Sequence, residues 1–304
     1  METPRGPIMR DFNMLALWAG LTAFIWYAFG AIPLHLAVAR QLGLTAAQSS
    51  SWIFIVWFSG ALSSIALSLI YRQPIPITWT IPGLIYMGTL AGHYTYPEMV
   101  GASLMAGALI LALALLGMGE RIISWLPLPI VLGMFAGSIL AYITRLVSAT
   151  VGDFLIAGPT VAGYLAGRMI ARQSVPPMGL AVLFGAAAVV FDQKDALPPI
   201  VWDLPHLAVP EMVFSAPGFI AISLPLVVLS MGMGNVQGLG FLIAQGYRVR
   251  INAISIVVGI NSFLNPFLGG HPAIVARTGV SILAAPEAGP AEGRYWASLI
   301  ASSL

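Results

Sequence analysis

Two stretches rich in proline and glycine interrupt a chain that otherwise consists of one apolar segment after another. They lie at residues 74–83 and 265–272. Pro74 and Pro76 forbid a regular helix, whereas Pro82 fits the first turn of a new helix. The isoleucine, threonine and tryptophan residues between them favour extended structure. Two apolar segments broken in this way are typical of transporters whose substrate site lies near the middle of the membrane.

The composition indicates a protein that lies in the lipid bilayer. Hydrophobic residues make up 59% of the 304 positions and charged residues 8%, against roughly 45–50% and 25% in soluble domains. The 13 basic and 11 acidic residues are scattered between the apolar segments, so no basic patch indicates a nucleic-acid partner. Cysteine is absent, which excludes disulfides, thiol catalysis and cysteine-ligated zinc. We expect no metal site and no other cofactor.

Eight apolar runs can cross the membrane, alone or with flanking residues, because about 20 helical residues span the hydrocarbon core. They lie at residues 14–39, 51–71, 99–119, 128–143, 155–170, 178–191, 219–244 and 254–264. If each broken segment crosses as a short strand followed by a half-helix, the sequence predicts ten crossings. An eleventh begins at Tyr295 and is too short to span when it reaches Leu304.

The basic residues are unevenly divided between the two sides of this arrangement. One side receives Arg5, Arg10, Arg72, Arg121, Arg168, Arg172, Arg248, Arg250 and Arg294, and the other receives Arg40, Arg145 and Lys194. Because basic residues concentrate on the cytoplasmic side, the excess predicts a cytoplasmic amino terminus. The expected location is a bacterial cytoplasmic (inner) membrane.

The order long span, second span, broken span occurs twice along the chain. The first copy begins near residue 14 and the second near residue 219. Seven crossings separate corresponding elements, and an odd number places the second copy upside down. The sequence therefore predicts an inverted repeat.

Three signatures make the chain resemble the benzoate/proton symporter (BenE) family, within the larger group of uracil permeases and sulfate permeases. They are residues 71–83, then Asn235-Val236-Gln237-Gly238 with Gly246 and Tyr247 downstream, and then Asn265-Pro266-Phe267 with His271, followed by residues 286–288. They occur in the family's order and spacing, and the similarity runs from the first span to the end.

The resemblance implies an all-α integral membrane protein with a seven-plus-seven transmembrane inverted-repeat fold. Short strands are implied in its third and tenth segments, and spans 12–14 are expected to be absent from this chain. The implied domains are residues 1–120 (core, first repeat), 121–195 (gate, first repeat), 196–217 (external loop) and 218–304 (core, second repeat). Many relatives are dimers, so a homodimer is also implied.

The substrate site is expected where the two half-helices meet, since helix amino termini favour an anion. The candidate substrate-binding residues are Trp79, Thr80, Ile81, Pro82, Gly83, Asn235, Gln237, Gly270, His271 and Arg277. Structural alternatives remain open: a helix kink at the first segment, interhelical hydrogen bonds for the two amides, and snorkelling of Arg277 to the interface. Gly234 and Gly238, four residues apart, predict close packing against another helix.

Proton coupling has two candidate residues, His271 and His35, because histidine titrates near neutral pH. The structural alternative for both is a neutral histidine bonded to backbone. No acidic residue falls in the middle of a predicted span, so the buried carboxylate relay of uracil permease relatives is missing. The substrate's own carboxyl group is the remaining candidate for carrying the coupled proton.

The sequence thus predicts a secondary active transporter of a small organic anion, best matched by benzoate or a similar aromatic carboxylate, coupled to protons. During transport the core domain would move against the gate domain. The alternatives are sulfate, another anion or a nucleobase on the same fold, or an anion channel. An enzyme is not expected, because the chain has no H-E-x-x-H or G-x-S-x-G motif and no paired acids within the membrane.

Overall fold

The computed structural model describes residues 8–124, 144, 146–170, 177–193 and 203–304. The predicted span at residues 128–143 lies outside this part of the chain. In chain order the elements are α1 (Met14–Gln41), α2 (Ala46–Tyr71), β1 (Ile77–Trp79), α3 (Ile81–Thr89), α4 (Tyr96–Leu115), α5 (Met118–Ser124), α6 (Phe154–Ile170), α7 (Pro177–Gln193), α8 (Ala216–Ala244), α9 (Ile251–Leu268), β2 (Ala273–Val275), α10 (Arg277–Leu283) and α11 (Tyr295–Ser303). Five of these helices, α1, α2, α4, α8 and α9, are long and apolar enough to cross a membrane.

Polar residues outside the apolar runs set where the long helices begin. The Asn13 side chain accepts a hydrogen bond from the Ala16 N–H at the start of α1. Thr45 and Gln48 form a capping box, so α2 begins earlier than the apolar run predicts. These bonds satisfy N–H groups that the first helical turn leaves without a partner. Arg72, with a left-handed backbone (φ 50°), follows the end of α2.

Two of the spans contain wide π-helical turns next to proline. In α1 the turn covers Trp26–Ala31 and precedes Pro33. In α8 such turns cover Phe219–Ser223 and Val228–Asn235. Proline cannot donate the usual helical hydrogen bond, and a wider turn accommodates this loss. Both helices therefore change their pitch near the middle of the span, where the broken segments lie.

The two broken segments pair with each other directly. Strands β1 and β2 run antiparallel, with Thr78 opposite Ile274. Two further backbone bonds extend the pairing, from the Thr80 N–H to the Pro272 carbonyl (3.1 Å) and from the Ala276 N–H to the Pro76 carbonyl (2.9 Å). Helices α3 and α10 then lead away from the strand pair in opposite directions.

The second broken segment begins later than the sequence predicts. Residues 265–268 continue α9 as a 3-10 turn, and Gly269, with φ +85°, ends it. Residues between Gly269 and β2 have no regular structure. The expected start at residue 265 was wrong, because Pro266 is the second residue of this 3-10 turn, where its fixed φ is compatible with helical geometry.

Side chains from the flanking helices satisfy the outer edges of the strand pair. Ser64 on α2 accepts from the Ile77 N–H (2.7 Å) and donates to the Ile77 carbonyl (3.2 Å). On β2, Ser230 donates to the Ala273 carbonyl (2.6 Å), and Ser262 accepts from the Ala273 N–H (3.0 Å). Strand edges inside a membrane need such partners, because the hydrocarbon offers none.

Glycines allow the helices to approach these strands. A Cβ added to Gly60 of α2 would lie 2.7 Å from the Ile77 carbonyl oxygen, and one added to Gly238 of α8 would lie 2.5 Å from that of Val275. Gly234 packs against the side chain of Ile274, also in β2. The prediction that Gly234 and Gly238 pack against a helix was wrong in its partner, which is strand β2.

Helices from the two halves of the chain pack against each other. Helix α4 packs against α9, and α11 packs against α2 and α1. Helices α6 and α7 pack against each other, and α7 also contacts α1. The strand pair lies between α2 and α8, and the α6–α7 pair is joined to the rest of the described chain through the contact of α7 with α1.

Candidate functional site

A cavity of about 570 Å³ lies beside the strand pair, within the usual size range of small-molecule sites. Three parts of the chain form it: α1, the first broken segment and the second. The lining residues are Trp26, Tyr27, Gly30, Ala31, Leu34, Thr78, Trp79, Ile81, Pro82, Ile85, Ile274, Ala276, Arg277 and Thr278. The wide π-helical turn of α1 contributes the first four of them.

Aromatic rings form one wall of the cavity. The Trp79 ring stacks on the ring of Trp57, with centroids 5.4 Å apart and an angle of 25° between planes. It contacts the Tyr27 ring at 6.2 Å. Trp79 is buried, and its Nε1 has no hydrogen-bond partner among the described residues. Held on one side by Trp57, the Trp79 ring and its neighbours offer flat apolar surface to a ligand.

Most N–H groups at the amino terminus of α3 already have hydrogen-bond partners within the chain. The Thr80 hydroxyl accepts from the Gly83 N–H (3.2 Å), and the Thr80 carbonyl accepts from the Leu84 N–H (2.9 Å). Pro82 has no N–H to offer. Of the first four residues of α3, Ile81 alone retains an N–H for an anion.

The amino terminus of α10 has no such side-chain cap. Ala276, at the capping position, has no polar side chain. Ala276, Arg277 and Thr278 all line the cavity, and the half-buried Arg277 donates to the Gln237 amide oxygen (2.8 Å). The first residues of α10, among them Arg277 with its guanidinium, therefore belong to the cavity wall, and both the helix dipole and this positive charge favour an anion.

Asn235 holds β2 in place behind this wall. Its Oδ1 accepts from the Val275 N–H (2.9 Å). The side chain is buried, and Nδ2 has no hydrogen-bond partner among the described residues. Asn235 thus positions the strand that leads into Arg277, while Gln237, two residues further along α8, positions the guanidinium itself.

Two buried histidines lie behind the aromatic wall. The His271 Nδ1 accepts from the Trp52 indole N–H (2.9 Å), and its Nε2 lies 3.2 Å from the Thr80 carbonyl oxygen. The His35 Nδ1 lies 3.3 Å from the Ala31 carbonyl oxygen, and Nε2 has no hydrogen-bond partner among the described residues. The two imidazole centroids are 5.6 Å apart. Both side chains are fully buried.

The structure divides the predicted site residues into a cavity wall and a supporting layer. Trp79, Ile81, Pro82 and Arg277 line the cavity. The supporting residues are Thr80, Gly83, Asn235, Gln237, Gly270, His271 and His35. Gly83 packs beside Thr80 and Leu226, and Gly270 packs against Asn265 and Ile55.

Sequence reasoning missed the contribution of α1 to the wall, because none of its candidate substrate-binding residues lies in the first span. Pro33 within the first span was the available signal. A proline inside a span distorts the helix around it, and here the distorted turn faces the cavity. The lining residues of the second segment, Ile274, Ala276 and Thr278, were also missed.

Comparison with known proteins identifies the family. The family described as benzoate membrane transport protein (BenE) matches residues 10–304. The chain belongs to this family. The predicted resemblance is thereby confirmed, and the protein is a multi-pass membrane transporter.

Individual relatives agree with this assignment. An inner membrane protein of Escherichia coli K12, YdcO, is 24% identical over 281 residues, which cover 92% of this chain and 68% of the relative. A benzoate membrane transport protein of Acinetobacter baylyi is 23% identical over 306 residues, which cover 100% of this chain and 77% of that protein.

A solved structure has a similar fold. It is the transmembrane domain of a cyanobacterium bicarbonate transporter, BicA, which matches with a TM-score of 0.55 over 99% of this chain and 82% of its own. At 16% identity, the similarity concerns the fold alone. The described part of this BenE-family chain is mainly helical, with five long apolar spans and a fold like that of BicA.

Proposed function

We propose that this BenE-family protein is a secondary active transporter of benzoate or a similar aromatic carboxylate, which it carries together with a proton. The observation that carries the proposal is the composition of the cavity. Aromatic rings form one wall, and a guanidinium with an uncapped helix amino terminus forms another. A flat apolar ring with one carboxylate has both complementary features.

In the proposed complex the substrate's ring lies against Trp79, with Tyr27 and Trp26 nearby. The carboxylate accepts hydrogen bonds from Arg277 at the start of α10. Arginine binds carboxylates well because its planar N–H groups match the two oxygens. The cavity volume of about 570 Å³ leaves room for the ring and for the side chains that close around it.

Proton coupling is proposed because two histidines that could carry a proton lie directly behind the cavity wall. They are the candidates because no acidic residue is available for this role in the described part of the wall. None of the described residues that line the cavity is aspartate or glutamate. His35 lies next to Trp79 and His271 next to the Thr80 carbonyl, and histidine is the side chain whose ordinary pKa lies near neutral pH. Either could bind the proton that accompanies the anion.

The proposed mechanism is movement of core against gate in a seven-plus-seven inverted repeat. Helices α1 to α4 with β1 repeat the order of α8 to α11 with β2, and the antiparallel strands and the reciprocal α4–α9 and α11–α2 contacts agree with an inverted relationship. We assign residues 1–120 and 218–304 to the core, 121–195 to the gate and 196–217 to an external loop. Helices α6 and α7 belong to this gate.

The proposed setting is a bacterial inner membrane with the amino terminus in the cytoplasm. The relative named as an inner membrane protein supports the first point, and the excess of basic residues on one side supports the second. A homodimer is proposed from the family resemblance.

Uptake of labelled benzoate into proteoliposomes tests the proposal. We expect saturable uptake that an inwardly directed proton gradient stimulates. Unlabelled sulfate, bicarbonate and uracil serve as competitors, since the same fold could accept another anion or a nucleobase. Stronger competition by one of these than by unlabelled benzoate would move the assignment to that substrate. A linear flux that never saturates would indicate an anion channel.

A further inference from the structure

We infer that His35 binds the coupled proton at Nε2, whereas His271 remains neutral and holds the two broken segments together. The inference rests on the proposed proton coupling and assigns it to one of two candidate residues. The two histidines are close together and fully buried, so position and burial do not distinguish them. Their hydrogen-bond partners do.

Both nitrogens of His271 are already used. The indole N–H of Trp52 can only donate a hydrogen bond, so the His271 Nδ1 that faces it at 2.9 Å must carry a lone pair. The proton of the neutral ring is then on Nε2, which donates to the Thr80 carbonyl at 3.2 Å. A second proton could bind only at Nδ1, and it would break the bond to the buried Trp52.

His35 has the opposite arrangement. Its Nδ1 faces the Ala31 carbonyl at 3.3 Å, and a carbonyl oxygen can only accept, so Nδ1 carries the proton. The neutral Nε2 then has a lone pair without a hydrogen-bond partner among the described residues. A proton can bind there without breaking an existing bond.

The surroundings of His35 connect it to the cavity. Ala31, which holds Nδ1, and the neighbouring Leu34 both line the cavity. The Trp79 ring, also part of the wall, has its centroid 4.9 Å from that of His35, and the Trp52 ring lies at 5.7 Å. Both distances fall within the ~6 Å over which aromatic rings attract a cation.

Charge balance explains why proton and anion would travel together. The titratable group that faces His35 is His271; α2 and β1 contribute the uncharged Trp52 and Trp79. Arg277 is the charged residue among the described cavity-lining residues. An anion alone would change the charge of this buried region by one unit, whereas an anion with a proton on His35 leaves it unchanged. The region can then move through the membrane at the same electrostatic cost, empty or loaded.

Nitrogen-15 NMR of the histidine side chains, on the full chain in lipid bilayers, tests the assignment directly. Signals are assigned with the variants His35→Gln and His271→Asn. With saturating benzoate at mildly acidic pH, we expect His35 to become doubly protonated while His271 keeps a bare Nδ1. Double protonation of His271, or of neither histidine, would overturn the inference.

Benzoate binding at a series of pH values then separates this inference from the proposed function. If one proton binds with each anion, the affinity of the unmodified protein falls about tenfold per pH unit as the pH rises. We expect His35→Gln to abolish this slope and His271→Asn to keep it, even with a lower melting temperature. His93→Gln, in an exposed turn, is the matched control.

The outcomes are distinct. A slope that persists in His35→Gln refutes the assignment to His35 and leaves proton-coupled transport standing. Absence of benzoate binding by the unmodified protein refutes the proposed function itself.

Discussion

At the scale of single residues, the position of the Arg277 side chain depends on its hydrogen bond to Gln237. A snorkelling arginine would extend to the membrane surface, but the guanidinium here is held 2.8 Å from the Gln237 oxygen, and Arg277 is one of the residues that line the cavity. Gln237 and Arg277 are on different elements, α8 and α10. Gln237, expected from the sequence to bind the substrate or another helix, therefore positions Arg277.

We predict that Arg277→Gln weakens benzoate binding by roughly 10- to 100-fold, because hydrogen bonds to charged groups contribute about 1.5–3 kcal/mol each. Arg277→Lys keeps the charge but loses the planar pair of donors, so it restores only part of the affinity. Binding to purified protein is the measurement. Arg40→Gln, at an exposed position at the end of α1, is the control. Equal affinity of Arg277→Gln and the unmodified protein would exclude a substrate contact.

The buried hydrogen bond from the Val275 N–H to Asn235 should contribute measurably to the stability of the protein. Asn235→Ala leaves the Val275 N–H without its partner inside the membrane, and we expect a loss of about 1–3 kcal/mol of stability. Thermal unfolding in detergent measures it. Asn252→Ala, whose side chain accepts from the Glu120 N–H at an exposed helix end, is the comparison and should cost less. A larger loss for Asn252→Ala would contradict the role assigned to Asn235.

At the scale of elements, the strand pair depends on serine hydroxyls and close backbone contacts more than on its own length. Each strand has only three residues, too few to be stable alone. Ser64 and Ser230 satisfy outer carbonyls, and Gly60 and Gly238 let α2 and α8 approach. Helices α2 and α8 thus support β1 and β2 by the same two kinds of contact, a serine hydroxyl and a close backbone approach at glycine.

Gly238→Ala should disrupt this arrangement, because its methyl group would lie 2.5 Å from the Val275 carbonyl oxygen. We expect a loss of about 1–3 kcal/mol of stability, as for other overpacked sites, and reduced benzoate transport. Gly232→Ala lies on the same helix at an exposed position, with the nearest neighbouring atom 3.9 Å away. It should cost nothing measurable. The melting temperatures of the two variants give the comparison, and equal values would show that the approach of α8 to β2 is not tight.

At the scale of the whole molecule, the proposed transport cycle requires α7 to move relative to α1. These helices are in contact: a Cβ at Gly179 would lie 2.8 Å from the Trp18 ring. The cavity wall belongs to α1 and the two broken segments, all assigned to the core. Movement of this group against α6 and α7 would expose the cavity to alternate sides.

Cross-linking tests this movement, and the natural chain has no cysteine to interfere. We expect a short bis-maleimide linker between Trp18→Cys and Gly179→Cys to stop benzoate uptake, because it ties core to gate. The control pair is Thr160→Cys in α6 with Gly185→Cys in α7. The Cβ atoms of this pair are 3.6 Å apart, and both helices belong to the proposed gate. Cross-linking within this pair should leave uptake intact. Full uptake by the first pair after complete cross-linking would refute movement between core and gate.

Much of the fold follows from local properties of the sequence. Apolar runs of about 20 residues must cross as helices, because the bilayer leaves backbone groups no other partner. Pro74, Pro76 and Pro82 break the third segment by their own geometry. The family assignment likewise rests on short contiguous signatures.

The sequence by itself therefore determined a membrane transporter with two broken segments and an expected anion site between them. Only the tertiary structure decided that Arg277 pairs with Gln237 and that α1 supplies part of the cavity wall. The physical reason is that each of these depends on the direction of a hydrogen bond or the rotation of a helix. Contacts between residues far apart in the chain set both, and local sequence preferences do not.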